Sequence, residues 1–430
     1  MTPEEAERRI LDLELFGMRF GLDRMRRLMT ALHHPERTFR QIHVVGTNGK
    51  SSTTRMTAAI LSRHGLRTGA YLSPHLTGFW ERIRVDDADI SPEQFAGAVQ
   101  RALAAAALVD RSAPADDHVT QFEALTAAAY AEFARCEVDA AVIEAGLGGR
   151  YDATNVIESE VQVLTSVGLE HTRWLGPTVT AIAIEKLDVV RPGGTLVLGP
   201  GLHPEARAVA ERVAAERGAA IVEAPAAPDV PAPVLARLHG YQRENFAVAV
   251  CAARALLGSL DAGAVADAAS IEVPGRLQIV GTRPLTMLDG AHTPDAIDAL
   301  VASLGDLPEL GAGVGLDGVR QRGGRRVAVV SILDDKDAAG ILARLRPHVD
   351  EIVLTASRNP RALPPPTLES LLDQVGGLPH AVVRDPALAL VRARERAGEN
   401  GFVIATGSIY LIADLSRPSS RDPATRASML

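Results

Sequence analysis

The sequence predicts an α/β protein with two domains, each built on a mostly parallel β-sheet. Its 430 residues exceed the usual length of one domain, and a hydrophobic content of 47% is enough to form large cores. Short apolar runs alternate with Ala-, Leu- and Arg-rich stretches of helical period. This alternation is typical of a doubly wound, largely parallel sheet.

Eight runs are predicted to be β-strands. Several are nearly all apolar, as strands buried on both faces of a sheet should be. In chain order the runs are 42–45, 139–146, 161–168, 195–199, 285–291, 326–332, 351–357 and 401–408.

A boundary between domains is predicted in the segment EVPGRLQIVGTRP (272–284), which contains Pro and Gly and precedes a fresh strand–helix series. We therefore predict an N-terminal domain over 1–273, a linker over 274–283 and a smaller, Rossmann-like α/β domain over 284–415. The polar tail 416–430 is predicted to be disordered.

Composition and charge exclude several classes of partner. The net charge of −8 argues against nucleic acid. The first residues are charged, and no window approaches 18 uninterrupted apolar residues, so we expect a cytoplasmic protein with no membrane partner. Two cysteines suit a reducing compartment rather than a disulfide framework. No heptad pattern suggests a coiled-coil partner, and we expect a monomer.

A short glycine loop follows the first predicted strand, in the segment HVVGTNGKSST (43–53). The common phosphate-binding loop has four residues between its glycines, but here Gly46 and Gly49 are separated by only two. Such a loop turns its N–H groups inward, and the next helix adds its positive end. We therefore predict a P-loop-type nucleotide site, with Lys50 at the phosphates and Ser51 at Mg²⁺. The alternative is a turn with an exposed lysine.

Polar residues also follow other predicted strands of the N-terminal domain. Glu144 ends an apolar strand, where a carboxylate is costly unless it is paired or binds a metal. Ser73 could bind Mg²⁺ or cap a helix, and His171 could bind a metal or lie in the core. Taken with Glu144, these two residues favour a metal site. Lys186 could be a surface lysine that extends its amine to solvent.

The C-terminal domain has a similar pattern. Asp289 lies at the end of a predicted strand, where an acidic residue often binds ribose hydroxyls. Lys336 and Ser408 could meet a small anionic substrate. Each of the three could instead be a turn residue.

Together the motifs resemble those of the folylpolyglutamate synthase / dihydrofolate synthase family, within the Mur-type amide ligases. The most specific matches are GTNGK (46–50), SPHL (73–76) and GLGGRYDATN (146–155). Further matches run in order along nearly the whole chain and include FGLDRM (20–25), TQFEALT (120–126), LEHTRWLG (169–176), EK (185–186), GYQRENFA (240–247), PGRLQ (274–278), DGAH (289–292) and TGSIY (406–410).

The resemblance implies an ATP-dependent ligase that adds L-glutamate to a pterin carboxylate. Its product would be dihydrofolate from dihydropteroate, folylpolyglutamate from folate, or both. The implied ATP-binding residues are Asn48, Gly49, Lys50, Ser51, Ser52, Asn245, Arg276 and Asp289. The implied Mg²⁺ ligands are Ser51, Ser73, Glu144 and His171, with a second ion held by a carbamate on Lys186.

The same resemblance assigns the substrate contacts and the catalytic groups. The residues expected at the substrates are Thr120, Phe122, Glu123, Tyr151, Asp152, Ala153, Lys336 and Ser408. The expected catalytic residues are Lys50, Lys186 and His292, the last as a candidate acceptor of the amine proton.

The sequence departs from the family pattern at four places. EKLDV replaces EKAGI after the lysine, GLEH replaces GLDH, DGAHT replaces DGAHN, and Tyr241-Gln242 replaces His-Gln. These changes concern the second metal site and the nucleotide contacts.

Other functions are compatible with parts of this sequence. A cell-wall Mur ligase would carry a separate N-terminal domain of roughly a hundred residues, and the loop that begins at residue 46 leaves no room for it. A related ligase with a different acceptor, or an ATP-binding paralogue without activity, would also fit the departures.

Overall fold

The computed structural model describes residues 1–13, 21–111, 114, 117–310 and 315–417. Phe20, the first residue of the motif FGLDRM (20–25), and residues 418–430 of the predicted tail lie outside these ranges. The chain divides into two compact units. The N-terminal unit comprises 1–238 and 242–271, and the C-terminal unit comprises 239–241 and the chain from Glu272.

The N-terminal unit is built on a sheet of eight described strands in the order β4-β3-β2-β5-β1-β6-β7-β8. All neighbours are parallel except β2 with β3 and β3 with β4. The strands are β1 (Arg40–Val45), β2 (Thr68–Tyr71), β3 (Ile83–Val85), β4 (Ala88–Asp89), β5 (Ala140–Glu144), β6 (Val161–Leu164), β7 (Thr195–Leu198) and β8 (Ala220–Glu223).

Helices pack against this sheet, and two clusters of buried apolar side chains form its core. One cluster includes Phe95, Tyr130 and Phe133, and the other includes Leu164, Ile182 and Leu196. The helices are α1 (Pro3–Leu11), α2 (Asp23–Ala31), α3 (Lys50–Arg63), α4 (Pro92–Arg111), α5 (Gln121–Arg135), α6 (Thr172–Leu175), α7 (Val179–Leu187), α8 (Pro204–Arg217), α9 (Ala232–Leu235), α10 (Tyr241–Leu257) and α11 (Ala262–Ala268).

The C-terminal unit has a sheet of six described strands in the order β13-β12-β11-β14-β10-β9, parallel except for β9. Its strands are β9 (Gln278–Thr282), β10 (Leu285–Leu288), β11 (Arg326–Val330), β12 (Glu351–Leu354), β13 (His380–Val382) and β14 (Phe402–Thr406). Its helices are α12 (Pro294–Leu304), α13 (Gly315–Gln321), α14 (Ala338–Leu345), α15 (Pro365–Gln374), α16 (Pro386–Ala397) and α17 (Ile409–Ser416).

The predicted fold class is confirmed, because both sheets are mostly parallel and each of the eight predicted runs overlaps a strand. β5, β6, β10, β11, β12 and β14 are buried along their whole length, and β1 is buried except at its first residue, which explains their largely apolar sequences. β9 lies within the range for which the sequence predicted a linker. In the described part of the chain, no single helix is long and apolar enough to cross a membrane.

The order of the parallel strands determines which loops lie together. β2, β5, β1 and β6 are consecutive neighbours, so the segments after their carboxyl ends meet at one edge of the N-terminal sheet. In the C-terminal sheet, β11, β14 and β10 bring three further loops to one edge in the same way.

Candidate active site

The phosphate-loop candidate connects β1 to α3 and contains two glycines at positions that leave little room for a side chain. Gly49 has a φ of +86°, and a Cβ there would stand 2.6 Å from Asn245 Oδ1. Gly46 lies so close to the Thr165 side chain that a Cβ would overlap it. The loop is therefore packed between the segment after β6 and α10, with the amino end of α3 pointing into it.

Hydrogen bonds to the β6 segment fix the shape of this loop. The Thr47 amide donates to the Ser166 carbonyl at 2.9 Å, and the Asn48 amide donates to Ser166 Oγ at 2.8 Å. The Asn48 carbonyl accepts from Thr165 Oγ1 at 2.6 Å. A loop held in this way needs little reorganisation to bind an anion.

Two lysine ammonium groups converge on one carbonyl oxygen of the loop. Lys50 Nζ donates to the Gly46 and Thr47 carbonyls at 3.0 and 3.1 Å. Lys186 Nζ, from α7, donates to the same Gly46 carbonyl at 2.8 Å. The structure therefore brings together the first two predicted catalytic residues.

Lys186 is not a surface lysine, since it is only 3% exposed. Burial and the nearby charge of Lys50 lower the pKa of Lys186 to about 7, against the opposing effects of Glu170 and Asp152. A substantial fraction of its amine is therefore uncharged at neutral pH. An uncharged amine is a nucleophile, which an ordinary surface lysine at this pH is not.

Three of the predicted metal ligands also lie together. Glu144, 1% exposed at the end of β5, accepts from Ser51 Oγ at 2.8 Å and from the Ser73 amide at 3.1 Å. Ser73 does not cap a helix, because the next helical turn begins at Phe79. A carboxylate and a serine hydroxyl are hard oxygen donors of the kind that Mg²⁺ prefers.

The fourth predicted ligand, His171, follows β6 with a left-handed backbone (φ 50°). Its Nε2 lies 3.4 Å from Glu170 Oε1. No cluster of three or more His, Cys, Asp or Glu side chains suited to a metal occurs among the described residues. A metal site among the described residues would therefore need donors besides these four side-chain types, such as the Ser51 hydroxyl beside Glu144.

The loop after β5 contains Gly146, Gly148 and Gly149 and is called the glycine-rich loop here. It packs directly on α7. The Arg150 amide donates to the Glu185 carbonyl at 2.9 Å, and the Arg150 guanidinium pairs with the Glu185 carboxylate at 2.9 Å. Asp152 Oδ2 accepts from the Leu147 amide at 2.7 Å, which closes the loop on itself. Tyr151 is the side chain that this loop exposes, at 46%.

Gly149 is the closest contact between this loop and α7. A Cβ on Gly149 would stand 2.6 Å from the Lys186 carbonyl oxygen and 2.8 Å from that of Glu185, and backbone atoms cannot rotate away. We expect Gly149→Ala to cost about 1–3 kcal/mol of unfolding free energy. The same displacement should lower turnover by about tenfold to a hundredfold. Thermal melts and steady-state kinetics measure both.

Gly97→Ala in α4 is the matched control, because the nearest atom to its added methyl, Arg101 Nη1, is 3.6 Å away. Replacing this partly exposed helix glycine by alanine should raise the unfolding free energy by up to about 1 kcal/mol. Equal turnover and stability of the two alanine variants would show that the contact of Gly149 with α7 does not matter.

The predicted substrate residues near α5 have clear structural contacts. Thr120 and Glu123 form a capping box at the start of α5, and Glu123 also pairs with Arg24 at 3.1 Å. The Phe122 ring lies against Gly146 and 6.0 Å from Tyr71. Ala153 is buried at the start of a 3₁₀ turn. Phe122 and Tyr151 are thus the members of this set that lie on the glycine-rich loop or against it.

In the C-terminal unit, Asp289 is buried after β10 and accepts three hydrogen bonds. They come from the Tyr241 hydroxyl, the Leu277 amide at 2.8 Å and the Ala291 amide at 2.9 Å. Arg276 lies over Gly290, where a Cβ would overlap its guanidinium. The two predicted nucleotide residues of this unit are therefore on adjacent turns.

The remaining predicted residues follow neighbouring strands of the same sheet. His292, after β10, donates a hydrogen bond from Nδ1 to the Gly290 carbonyl at 2.8 Å. Lys336, after β11, lies 3.7 Å from Asp335 Oδ2. Ser408, after β14, is buried and caps α17 by accepting from the Tyr410 amide at 3.2 Å.

The departures from the family pattern have local partners. Asp188 pairs with Arg217 at 2.9 Å and lies 3.7 Å from Arg150, while Leu187 is buried in the core under α7. Thr293 caps α12. Tyr241 donates to Asp289, as described above. Each replacement is therefore accommodated within its own unit.

Sequence reasoning missed Thr165 and Ser166, which hold the phosphate loop. A signal was present, because two hydroxyl residues follow directly on a predicted strand at the same sheet edge as Gly46. It also missed Asp188–Arg217, for which the sequence contains no signal, since the pair joins the ends of two helices.

Comparisons with known proteins show which family this chain resembles. A family model described as Mur ligase, glutamate ligase domain, matches residues 275–409. The dihydrofolate synthase/folylpolyglutamate synthase of Mycobacterium tuberculosis is 34% identical over 80% of this chain and 75% of its own. That of Bacillus subtilis is 31% identical over 94% and 95%.

Solved structures of similar proteins cover the whole fold. Mycobacterium tuberculosis folylpolyglutamate synthase complexed with ADP superposes with a TM-score of 0.85 at 30% identity, over 98% of this chain and 99% of that one. An Escherichia coli protein in complex with DHPP and ADP gives 0.81 at 28% identity, over 100% and 99%. This chain therefore belongs to the folylpolyglutamate synthase / dihydrofolate synthase family.

Proposed function

We propose that this chain is an ATP-dependent ligase that joins L-glutamate to the carboxylate of a pterin acid, with dihydropteroate or a folate as acceptor. The observation that carries the proposal is the convergence of Lys50, Lys186 and the Ser51–Glu144–Ser73 cluster around one preformed phosphate loop. Two relatives that this chain matches over more than 90% of their length support the proposal, since one is named a folylpolyglutamate synthase and the other a dihydrofolate synthase/folylpolyglutamate synthase.

The chemistry requires activation of a poor electrophile. A carboxylate does not react with an amine, but its attack on the γ-phosphate of ATP gives an acyl phosphate and ADP. The amine of glutamate then attacks the acyl carbon, the C–O bond to phosphate breaks, and inorganic phosphate leaves. Lys50 and the amides of the loop offset the charge that accumulates when phosphate and carboxylate approach each other.

A magnesium ion fits the oxygen donors of Ser51, Ser73 and Glu144. The Glu144 carboxylate is buried and accepts from the Ser51 hydroxyl and from the Ser73 backbone amide, so the three residues already lie next to one another. Such an ion would neutralise phosphate charge. A related Yersinia pestis structure, complexed with AMPPNP and a Mn ion, supports the use of a divalent metal.

Lys186 is proposed to carry a carbamate and to hold a second ion. Its burial and lowered pKa favour the uncharged amine that reacts with CO₂. The chain contains 42 arginines and only three lysines, namely Lys50, Lys186 and Lys336. All three occur at predicted site positions. Since arginine replaces lysine elsewhere, this distribution supports a need for a primary amine or a compact ammonium at these three positions.

Contacts with the substrates are proposed as well. Phe122 and the exposed Tyr151 present aromatic surface for the pterin ring, beside Thr120, Glu123, Asp152 and Ala153. Lys336 and Ser408 are proposed for glutamate, His292 for the amine proton, and Asn48, Ser52, Asn245, Arg276 and Asp289 for ATP. A monomer in the cytoplasm remains our prediction.

Mass analysis of the products tests the proposal. The protein is incubated with ATP, Mg²⁺ and L-glutamate, and with dihydropteroate, tetrahydrofolate or no acceptor. A dihydropteroate product heavier by one glutamate residue establishes the synthase activity, and a similar addition to tetrahydrofolate establishes chain extension. If neither acceptor gains mass while ATP binds, the pterin assignment is wrong, and a different acceptor or a lost activity remains.

A further inference from the structure

A buried histidine lies in the strand that leads into the phosphate loop, and no role has been assigned to it above. His43 is fully buried in β1, paired with Ile143 of β5 and Gln162 of β6. Its Nε2 lies 2.8 Å from Thr154 Oγ1, in the 3₁₀ turn that follows the glycine-rich loop. A side-chain contact thus connects the centre of the sheet to that loop.

The direction of the protons in this contact can be deduced. Thr154 Oγ1 lies 2.5 Å from Asp152 Oδ1, and this carboxylate accepts amide protons on both of its oxygens, so the hydroxyl proton goes to Asp152. The hydroxyl must then accept from His43, which places the imidazole proton on Nε2. His43 Nδ1 is buried and has no hydrogen-bond partner among the described residues, so a second proton there would be unsatisfied.

The Asp152 carboxylate at the end of this chain holds the glycine-rich loop closed. Its Oδ1 accepts from the Thr154 amide at 3.0 Å, and its Oδ2 accepts from the Leu147 amide at 2.7 Å. A further bond fixes Thr154 itself, because the buried Tyr130 hydroxyl donates to its carbonyl at 3.2 Å. Both ends of the loop therefore depend on the orientation of one carboxylate.

We propose that His43 and Thr154 are positioning residues, which orient Asp152 and the glycine-rich loop for the pterin acceptor. This inference rests on the proposed function, which places the acceptor at that loop. His43 does not touch the substrate. Its neutral N–H turns the Thr154 hydroxyl towards Asp152, and the carboxylate then holds the Leu147 amide in place.

Isosteric variants of Thr154 test the hydrogen-bonded series from His43 through Thr154 to Asp152. Thr154→Val keeps the shape but neither accepts from His43 nor donates to Asp152, whereas Thr154→Ser keeps the hydroxyl. We expect the valine variant to raise KM for the pterin acceptor by at least about fivefold, the effect of one lost buried hydrogen bond. KM for ATP should stay within about twofold of that of the wild type. The serine variant should resemble the wild type in both.

His43 itself provides a second pair. Glutamine can donate from nearly the position of Nε2, and leucine cannot donate. We expect His43→Gln to keep most of the affinity for the acceptor and His43→Leu to lose it to the same extent as Thr154→Val. Equal impairment of the two His43 variants would overturn the proposal.

Thr57→Val is the control for the loss of a buried hydroxyl. Thr57, in α3, is fully buried and donates only to its own helix, to the Thr53 carbonyl at 2.7 Å. We expect a similar fall in melting temperature for Thr57→Val and Thr154→Val, but a higher acceptor KM only for the second. If both variants raise KM equally, the effect is general destabilisation and the inference fails.

A readout without turnover separates this inference from the proposed function. The ¹⁵N shifts of His43 should show a neutral ring protonated on Nε2, and hydrogen exchange of the Leu147 amide should be faster in Thr154→Val than in Thr57→Val. If these results hold while no pterin reacts, the proposed function fails, but the hydrogen-bonded series His43–Thr154–Asp152 is still supported. A ring protonated on Nδ1, or unchanged exchange at Leu147, would refute this hydrogen-bonded series itself.

Discussion

Replacing Lys50 by alanine is expected to abolish most turnover and to leave the fold intact. Lys50 is partly exposed and bonds only to two carbonyls of its own loop, so its removal leaves no buried charge. Removal of one preorganised donor from a site of this kind lowers the rate by about 10²–10³-fold. Steady-state kinetics at saturating ATP measure the loss, and a melting curve within a few degrees of the wild type shows that the fold is kept.

Lys50→Arg is the companion variant, because it keeps the positive charge but not the compact ammonium. A guanidinium is planar and larger, so we expect arginine to restore little activity. If Lys50→Ala turned over within about tenfold of the wild type, the phosphate loop would not be the site of the chemistry, and the assignment of the N-terminal unit would be wrong.

Lys186 is expected to be the other residue of large effect, for a different reason. Lys186→Arg keeps a cation near the Gly46 carbonyl but cannot form a carbamate. We expect a loss of turnover of about 10²-fold or more, in line with the removal of a metal ligand or charge-stabilising group. Wild-type activity should also fall in CO₂-depleted buffer and return with bicarbonate, whereas the arginine variant should respond to neither.

The pH dependence of this effect follows from the lowered pKa. The uncharged amine increases as the pH rises through about 7, so the bicarbonate needed for half-maximal activity should increase below that pH and decrease above it. A ¹³C-carbamate resonance after incubation with labelled bicarbonate checks the adduct directly. No resonance in the wild type, together with full activity of Lys186→Arg, would exclude the carbamate.

Much of the N-terminal site could be predicted because its signals are local. Gly46, Gly49 and Lys50 are contiguous with a strand, and Glu144 stands where an apolar run ends. Parallel strands then bring such segments to one edge without further information. The same reasoning placed Asp289 and Ser408 at the ends of β10 and β14, where the structure has them.

The parts that could not be predicted depend on how separate elements pack. Whether Lys186 is buried or extends to solvent depends on where α7 lies on the glycine-rich loop, which no periodicity reports. The same is true of Asp188 with Arg217 and of His43 with Thr154. β9 was missed because its sequence, QIVGT, is short, only partly buried and follows a Pro-Gly turn, so no apolar run marks it.

The measurement that tests the account most directly follows oxygen from the acceptor to phosphate. Dihydropteroate with ¹⁸O in its carboxylate is incubated with the protein, ATP, Mg²⁺ and L-glutamate, and the released phosphate is analysed by mass. We expect phosphate release to require both the acceptor and glutamate, and each phosphate to carry one ¹⁸O, as an acyl phosphate demands. Phosphate that contains only ¹⁶O, or release that does not depend on the acceptor, would contradict ligation through an acyl phosphate at this site.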